Sequence, residues 1–166
     1  TGLVVPAAEF GNDQNKLPFH RINVNVPPFL DGLIGLSAQS GLVQFSHDIQ
    51  SDPRMSHWQE VAVRDGYHAA ATVPLLQGGQ VIGFLNLYAT DIGFFTVKEE
   101  QSLLEEMGLD ISFALDLMQN DAERKQSEEA LQVVNALEKA GLTHELFTVP
   151  GGSCNRSAIC ACVRSS

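Results

Sequence analysis

Cysteine is missing from most of this 166-residue chain, since Cys154, Cys160 and Cys162 all fall in the last thirteen positions. A cysteine-free core excludes a disulfide scaffold and a structural thiolate metal site. It also removes thiol nucleophiles from everything before Cys154. Long apolar runs are missing too: no stretch reaches the about 18 residues that a membrane-spanning helix needs. Positive charge is scarce, with 10 Lys and Arg against 20 Asp and Glu, for a formal net charge of −10. A surface of that sign repels phosphate backbones, so nucleic acid is not an expected partner. No signal peptide opens the chain, which starts Thr-Gly-Leu-Val-Val without a Met. The expectation is a piece of a longer cytoplasmic protein.

What is present suffices for one domain with extensions, since 44% of residues are hydrophobic. Leu3 to Phe10 reads as a strand and Gly11 to Lys16 as a turn. His20 to Val26 alternates, placing Ile22, Val24 and Val26 on one face of a half-buried strand. Leu33 to Gln39, between Gly32 and Gly41, reads as a short helix, and Leu42 to Ser46 as a strand. Asp52-Pro53 starts a helix carrying Met55, Trp58, Val61 and Ala62, which Gly66 ends. Ala69 to Leu76 and Val81 to Ala89 flank Gln77-Gly78-Gly79-Gln80 as a hairpin. The second of these strands is apolar on both faces except at Asn86, as a central strand would be. Thr96 and Glu99 fit a capping box. One long helix is expected over about 97 to 139. Within it Leu104, Met107, Ile111, Ala114 and Met118 recur at coiled-coil spacing before a polar break at 121–129. After Gly141 the period is lost, and 142–166 reads as an unstructured or aberrant tail.

Few residues call for chemistry. Asp52 is explained as a cap, and Asp48 as the residue that fixes the preceding turn through its side chain. Gly78-Gly79 lacks the Lys-Ser/Thr and the following helix of a phosphate loop. Five histidines, His20, His47, His57, His68 and His144, include no i, i+4 pair of the kind that holds a metal on a helix. His47-Asp48 is at most half a site, and a lone His68 is more often structural than an axial haem ligand. Neither a metal nor haem is expected, and no nucleophile–base constellation appears.

The order of these parts carries a resemblance. Gly32-x-x-Gly35, Asp48 to Arg54, Trp58, Gly66, Val73-Pro74-Leu75, Val81-Ile82-Gly83, and Phe95 with Glu99 together resemble a GAF domain, the small regulatory module of bacterial signalling proteins. The likeness covers Leu3 to Leu117 and is most specific from Asp48 onward. It implies an α/β fold of the α+β type: a central antiparallel sheet of about five or six strands with helices on its faces, GAF/PAS-like. Residues 1–118 would form the domain, 119–141 a helical signalling linker, and 142–166 the tail. The family's N-terminal helix normally pairs with its C-terminal helix. This chain starts too late to include it, so an exposed apolar face is expected.

The resemblance also implies a ligand pocket near Asp48 to His68, with Arg54, Trp58 and His68 as candidate contacts. Arg54 would grip a carboxylate or phosphate, and Trp58 would stack on a ring. The plainer alternatives are a solvated Arg54 and a core Trp58. Family members that attach a bilin or reduce free methionine sulfoxide do so through cysteines absent here, so no cofactor and no catalysis are expected. The cyclic-nucleotide motif of the family is not visible. The expected function is non-catalytic sensing of a small molecule. The signal would pass through the seam Leu104, Met107, Ile111 and Met118 of a homodimer to an output module, a histidine kinase or a cyclic-di-nucleotide enzyme. The alternative is a ligand-free dimerisation and relay module.

Overall fold

A computed structural model describes residues 2–8, 10 and 22–140, and the backbone of 144–146 and 161–163. The expected turn at 11–16, His20, and most of the tail lie outside the described residues. The chain forms two compact units, Thr1–Leu117 and Met118–Ser166. In the first unit the order is β1 (Leu3–Val4), β2 (Ile22–Asn23), α1 (Leu33–Ser40), β3 (Gln44–Ser46), α2 (Gln59–Asp65), β4 (Ala69–Gln77) and β5 (Gln80–Ala89). Helix α3 (Lys98–Lys139) begins there and continues into the second unit, where β6 (His144–Leu146) pairs antiparallel with β7 (Ala161–Val163). This is the mixed α/β, antiparallel order that the pattern of turns and periods led us to expect.

The sheet differs in detail. Among the described residues the central sheet has three strands in the order β3-β4-β5, and β1 and β2 form a separate antiparallel ladder. The central strand is therefore β4, not β5. Residues Ala69 to Pro74 are all buried, whereas Gly83 to Ala89 of β5 are only half-buried. Composition explains the difference. Three consecutive alanines let both neighbouring layers approach β4 closely, while the bulky β5 side chains cover a sheet edge.

β4 divides two hydrophobic clusters. Ala70 packs with Leu33, Ile49, Met55 and Ala62, against which Trp58, Tyr67 and Tyr88 lie. Ala69 and Ala71 pack with Phe95, and with Phe45, Leu87 and Leu104. The alternation of a strand thus puts α1 and α2 on one face and α3 on the other.

The 3₁₀ turn Pro53–Met55 interrupts the expected first helix, and α2 begins only after Trp58. Asp52 caps that turn as foreseen, its carboxylate accepting from the Arg54 N–H. The capping box is not formed. The Thr96 hydroxyl donates back to the Gly93 carbonyl at 2.6 Å inside a 3₁₀ turn, so extended Val97 leads into α3 instead.

Helix α3 meets the sheet through small and polar residues. Gly108 and Ser112 are its buried positions. A Cβ on Gly108 would lie 2.6 Å from Val73 Cγ1, so the helix backbone touches β4 directly. The β4–β5 register shifts between Leu75 and Leu76. At that irregularity the Leu76 N–H donates to Ser112 Oγ at 2.9 Å, and Ser112 Oγ donates on to the Gly108 carbonyl at 2.7 Å. Gln77 Nε2 donates to the Leu115 carbonyl at 3.2 Å, and the Gly78 N–H to Asp116 Oδ1 at 2.8 Å. The hairpin turn, with both glycines at positive φ, is thereby tied to the helix.

The outer side of α3 is apolar and open: Leu109, Phe113 and Leu117 are 67%, 66% and 51% exposed. Of the predicted seam, Leu104 packs toward the sheet, Met107 and Ile111 are half-buried, and Met118 is exposed.

Gly108→Ala is expected to destabilise the domain by about 1–2 kcal/mol, because overpacking against Val73 outweighs the gain in helix propensity. Urea unfolding of Gly108→Ala, Val73→Ala and the double variant checks this. The double variant should lose less than the sum of the singles, because the second change makes room for the added methyl.

Candidate functional site

The α1/α2 side of the sheet holds a cavity. Its floor is Ala70, Thr72, Asn86 and Tyr88 of β4 and β5, and its walls are Phe29, Leu33, Arg54, Met55, His57 and Trp58. The Phe29 ring lies 6.1 Å from His57 and 6.2 Å from Trp58, in edge and tilted contacts. Free space amounts to about 20 Å³, room for a water or two. A larger occupant has to displace the aromatic wall.

The Gly32-x-x-Gly35 pattern accounts for Phe29's position. A Cβ on Gly35 would run into the backbone carbonyls of Phe29 and Leu30, so only glycine lets α1 sit against the turn that carries Phe29. Asp48 holds the next loop as expected, with its Oδ1 accepting the Gln50 N–H at 3.1 Å. Gln59 Nε2 bonds the Ile49 and Gln50 carbonyls at 3.2 and 3.1 Å.

Of the three predicted contacts, Arg54 and Trp58 line the cavity and His68 does not. His68 sits at the head of β4. Its N–H donates to the Ala89 carbonyl and its carbonyl accepts from Ile49, both at 2.8 Å. Its Nδ1 is buried without a hydrogen-bond partner among the described residues. Arg54 is heavily engaged. Nε donates to Asp52 Oδ1 at 3.0 Å, and Nη2 donates to Asp52 Oδ2 and to the Phe45 carbonyl, each at 2.7 Å. Burial pushes the Asp52 carboxyl up, but hydrogen bonds from the Arg54 side chain and N–H prevail and hold it below its ordinary 3.8. The same pairing raises Arg54.

Sequence reasoning missed Phe29, His57, Thr72 and Tyr88. Thr72 and Asn86 are register partners on adjacent strands, and the Thr72 hydroxyl donates to Asn86 Oδ1 at 2.9 Å. The one available signal was Asn86, a lone polar residue in an apolar strand. Among the described residues no group of three His, Cys, Asp or Glu stands in metal-ligating range.

These features match a known family. The GAF domain family model matches residues 7–116, and the chain belongs to that family. No curated protein matches. Among solved structures, a free methionine-R-sulfoxide reductase from Neisseria meningitidis in complex with its substrate is 20% identical, with a TM-score of 0.50 over 65% of this chain and 58% of that one. The GAF domain region of a Geobacter sulfurreducens PCA protein, described as a membrane protein, is 22% identical, with a TM-score of 0.47 over 55% and 61%. A domain of a Sinorhizobium meliloti 1021 protein, described as a two-component sensor histidine kinase, is 20% identical, with a TM-score of 0.42 over 51% and 58%. The chain spans less than two thirds of each of these structures. Among the described residues no helix is long and apolar enough to cross a membrane.

The Asp52 pair makes a pH-dependent contribution to stability. Because the folded carboxyl titrates below 3.8, the contribution is full above that value. It is lost as pH falls through the folded value, where the unfolded chain binds more protons. Asp52→Ala is expected to cost about 0.5–2 kcal/mol at pH 7, from the lost cap. The gap to the natural protein should narrow below pH 3.8. Urea midpoints measured from pH 7 to pH 3 check it.

Proposed function

We propose that this GAF domain is a non-catalytic sensor within a cytoplasmic signalling protein. A small molecule occupies the cavity beside Arg54 and Trp58, and α3 carries the response to an output module, a histidine kinase or a cyclic-di-nucleotide enzyme. One observation carries this reading. The strand that floors the cavity with Ala70 and Thr72 also touches Gly108 through Val73 and bonds Ser112 through Leu76. Displacement of β4 by a ligand therefore acts on α3 without an intermediary. A ligand drives such a change only by binding one arrangement better than the other. The absence of cysteine from the matched residues 7–116 supports a non-catalytic role, since a thiol nucleophile is unavailable there.

Native mass spectrometry with an absorbance spectrum, on the chain purified from cells, is expected to show a bound small molecule. Its release should speed amide exchange at Leu76 and Gly78. A bare protein whose exchange is unmoved by a cell metabolite extract removes the sensor reading.

The small free volume favours a second reading, a ligand-free dimerisation and relay module joined through the seam of Leu104, Met107, Ile111 and Met118 on α3. Met107→Glu should then convert dimers to monomers in analytical ultracentrifugation. Dimers that persist would remove Met107 from the interface.

A further inference from the structure

We infer, resting on the sensor reading, that the cavity selects an uncharged, flat molecule bearing a hydrogen-bond acceptor, and that Asn86 is the residue that reads the acceptor. The residue types first suggested an anion for Arg54, but the geometry points elsewhere. Among the described residues Arg54 is the one Lys or Arg that lines the cavity. Its guanidinium makes two bonds to the Asp52 carboxylate and a third to the Phe45 carbonyl. The pair is neutral as a unit, so an incoming carboxylate or phosphate meets a cation whose charge Asp52 already compensates. A cation fares no better, because among the described residues no Asp or Glu lines the cavity and Arg54 stands at its wall.

The polar floor asks for an acceptor. Thr72 is 3% exposed, and its hydroxyl donates to Asn86 Oδ1 at 2.9 Å. Asn86 Nδ2 then has two N–H donors and no acceptor among the described residues, while Asn86 lines the cavity. Asn86 is half-buried, and a carbonyl or ring nitrogen that arrives takes the place of water at this donor. The opposite wall is aromatic, Phe29 against Trp58 at 6.2 Å. A flat ring can enter between wall and floor by displacing these rings, and stack on them.

The chain has one tryptophan, and it stands in the cavity wall, so its emission reports entry. Matched amide and carboxylate probes, nicotinamide with nicotinate and benzamide with benzoate, differ chiefly in charge. Titrated into the full chain, with calorimetry alongside fluorescence, at least one amide is expected to bind tenfold or more tightly than its carboxylate. Asn86→Asp keeps the acceptor for Thr72 but replaces the donors, and should weaken that amide at least tenfold. Should this variant unfold, Asn86→Ser provides the same test. A carboxylate that binds as tightly as its amide overturns the inference, as does an amide affinity unmoved at Asn86. Binding of none of the four probes also overturns it. In that case a copurifying anionic molecule would leave the sensor reading standing, and a protein that also purifies bare would remove both.

Discussion

Direct contact between the backbone of α3 and β4 at Gly108 is the constraint from which the rest of the domain's geometry follows. β4 is buried on both faces, and the alternation of a strand forces its odd and even residues into different layers. Alanines at 69, 70 and 71 keep both layers close. A helix that approaches to within the van der Waals radius of Val73 has no room for a side chain there, and glycine meets the need. Packing at this density transmits displacement, because interiors offer little free volume to absorb it. The Ser112 hydroxyl adds a directional tie at the place where the β4–β5 register slips, by accepting the Leu76 N–H.

The same layering determines what the other face of the sheet can bind. Arg54 enters the cavity wall from a loop held by Asp48, Gln59 and the Asp52 cap. The bonds that hold Arg54 in place also pair its charge with Asp52, so its position and its charge are coupled. What remains open to a ligand is an aromatic wall over a floor of Thr72 and Asn86.

Much of the fold was legible one element at a time. Gly-Gly between two apolar runs identified the β4–β5 hairpin, because two adjacent positive φ angles suit that turn. Asp52-Pro53 identified a cap, though of a 3₁₀ turn rather than of the helix expected there, and Gly66 a helix end, from chemistry local to a few residues. The helix that became α3 was placed within a residue or so of its observed bounds. Errors arose where local chemistry competes. Thr96 lies inside a 3₁₀ turn, so the extended residue before α3 is Val97, one position later than the capping box requires. β5 looked central because its side chains are apolar, yet strand order depends on which ladders form, and small side chains gave that place to β4.

The long helix shows the division most plainly. Its apolar period pointed to Leu104, Met107, Ile111 and Met118, but the surface that meets the sheet is Leu104, Gly108, Ser112 and Asp116, one residue every fourth position. Glycine and serine have no hydrophobic signal, so periodicity passed over them. From the sequence alone came the order of elements, the family, the absence of cysteine before Cys154 and the sign of the net charge, all properties of residue type and near neighbours. Tertiary structure alone decided that His68 lies outside the cavity and that Thr72 and Asn86 face each other. Both depend on residues far apart in the chain or on strand register, and no local pattern encodes which partner a side chain will meet. The Arg54–Asp52 pair is local, two residues apart, but the Phe45 carbonyl that Arg54 also reaches is not.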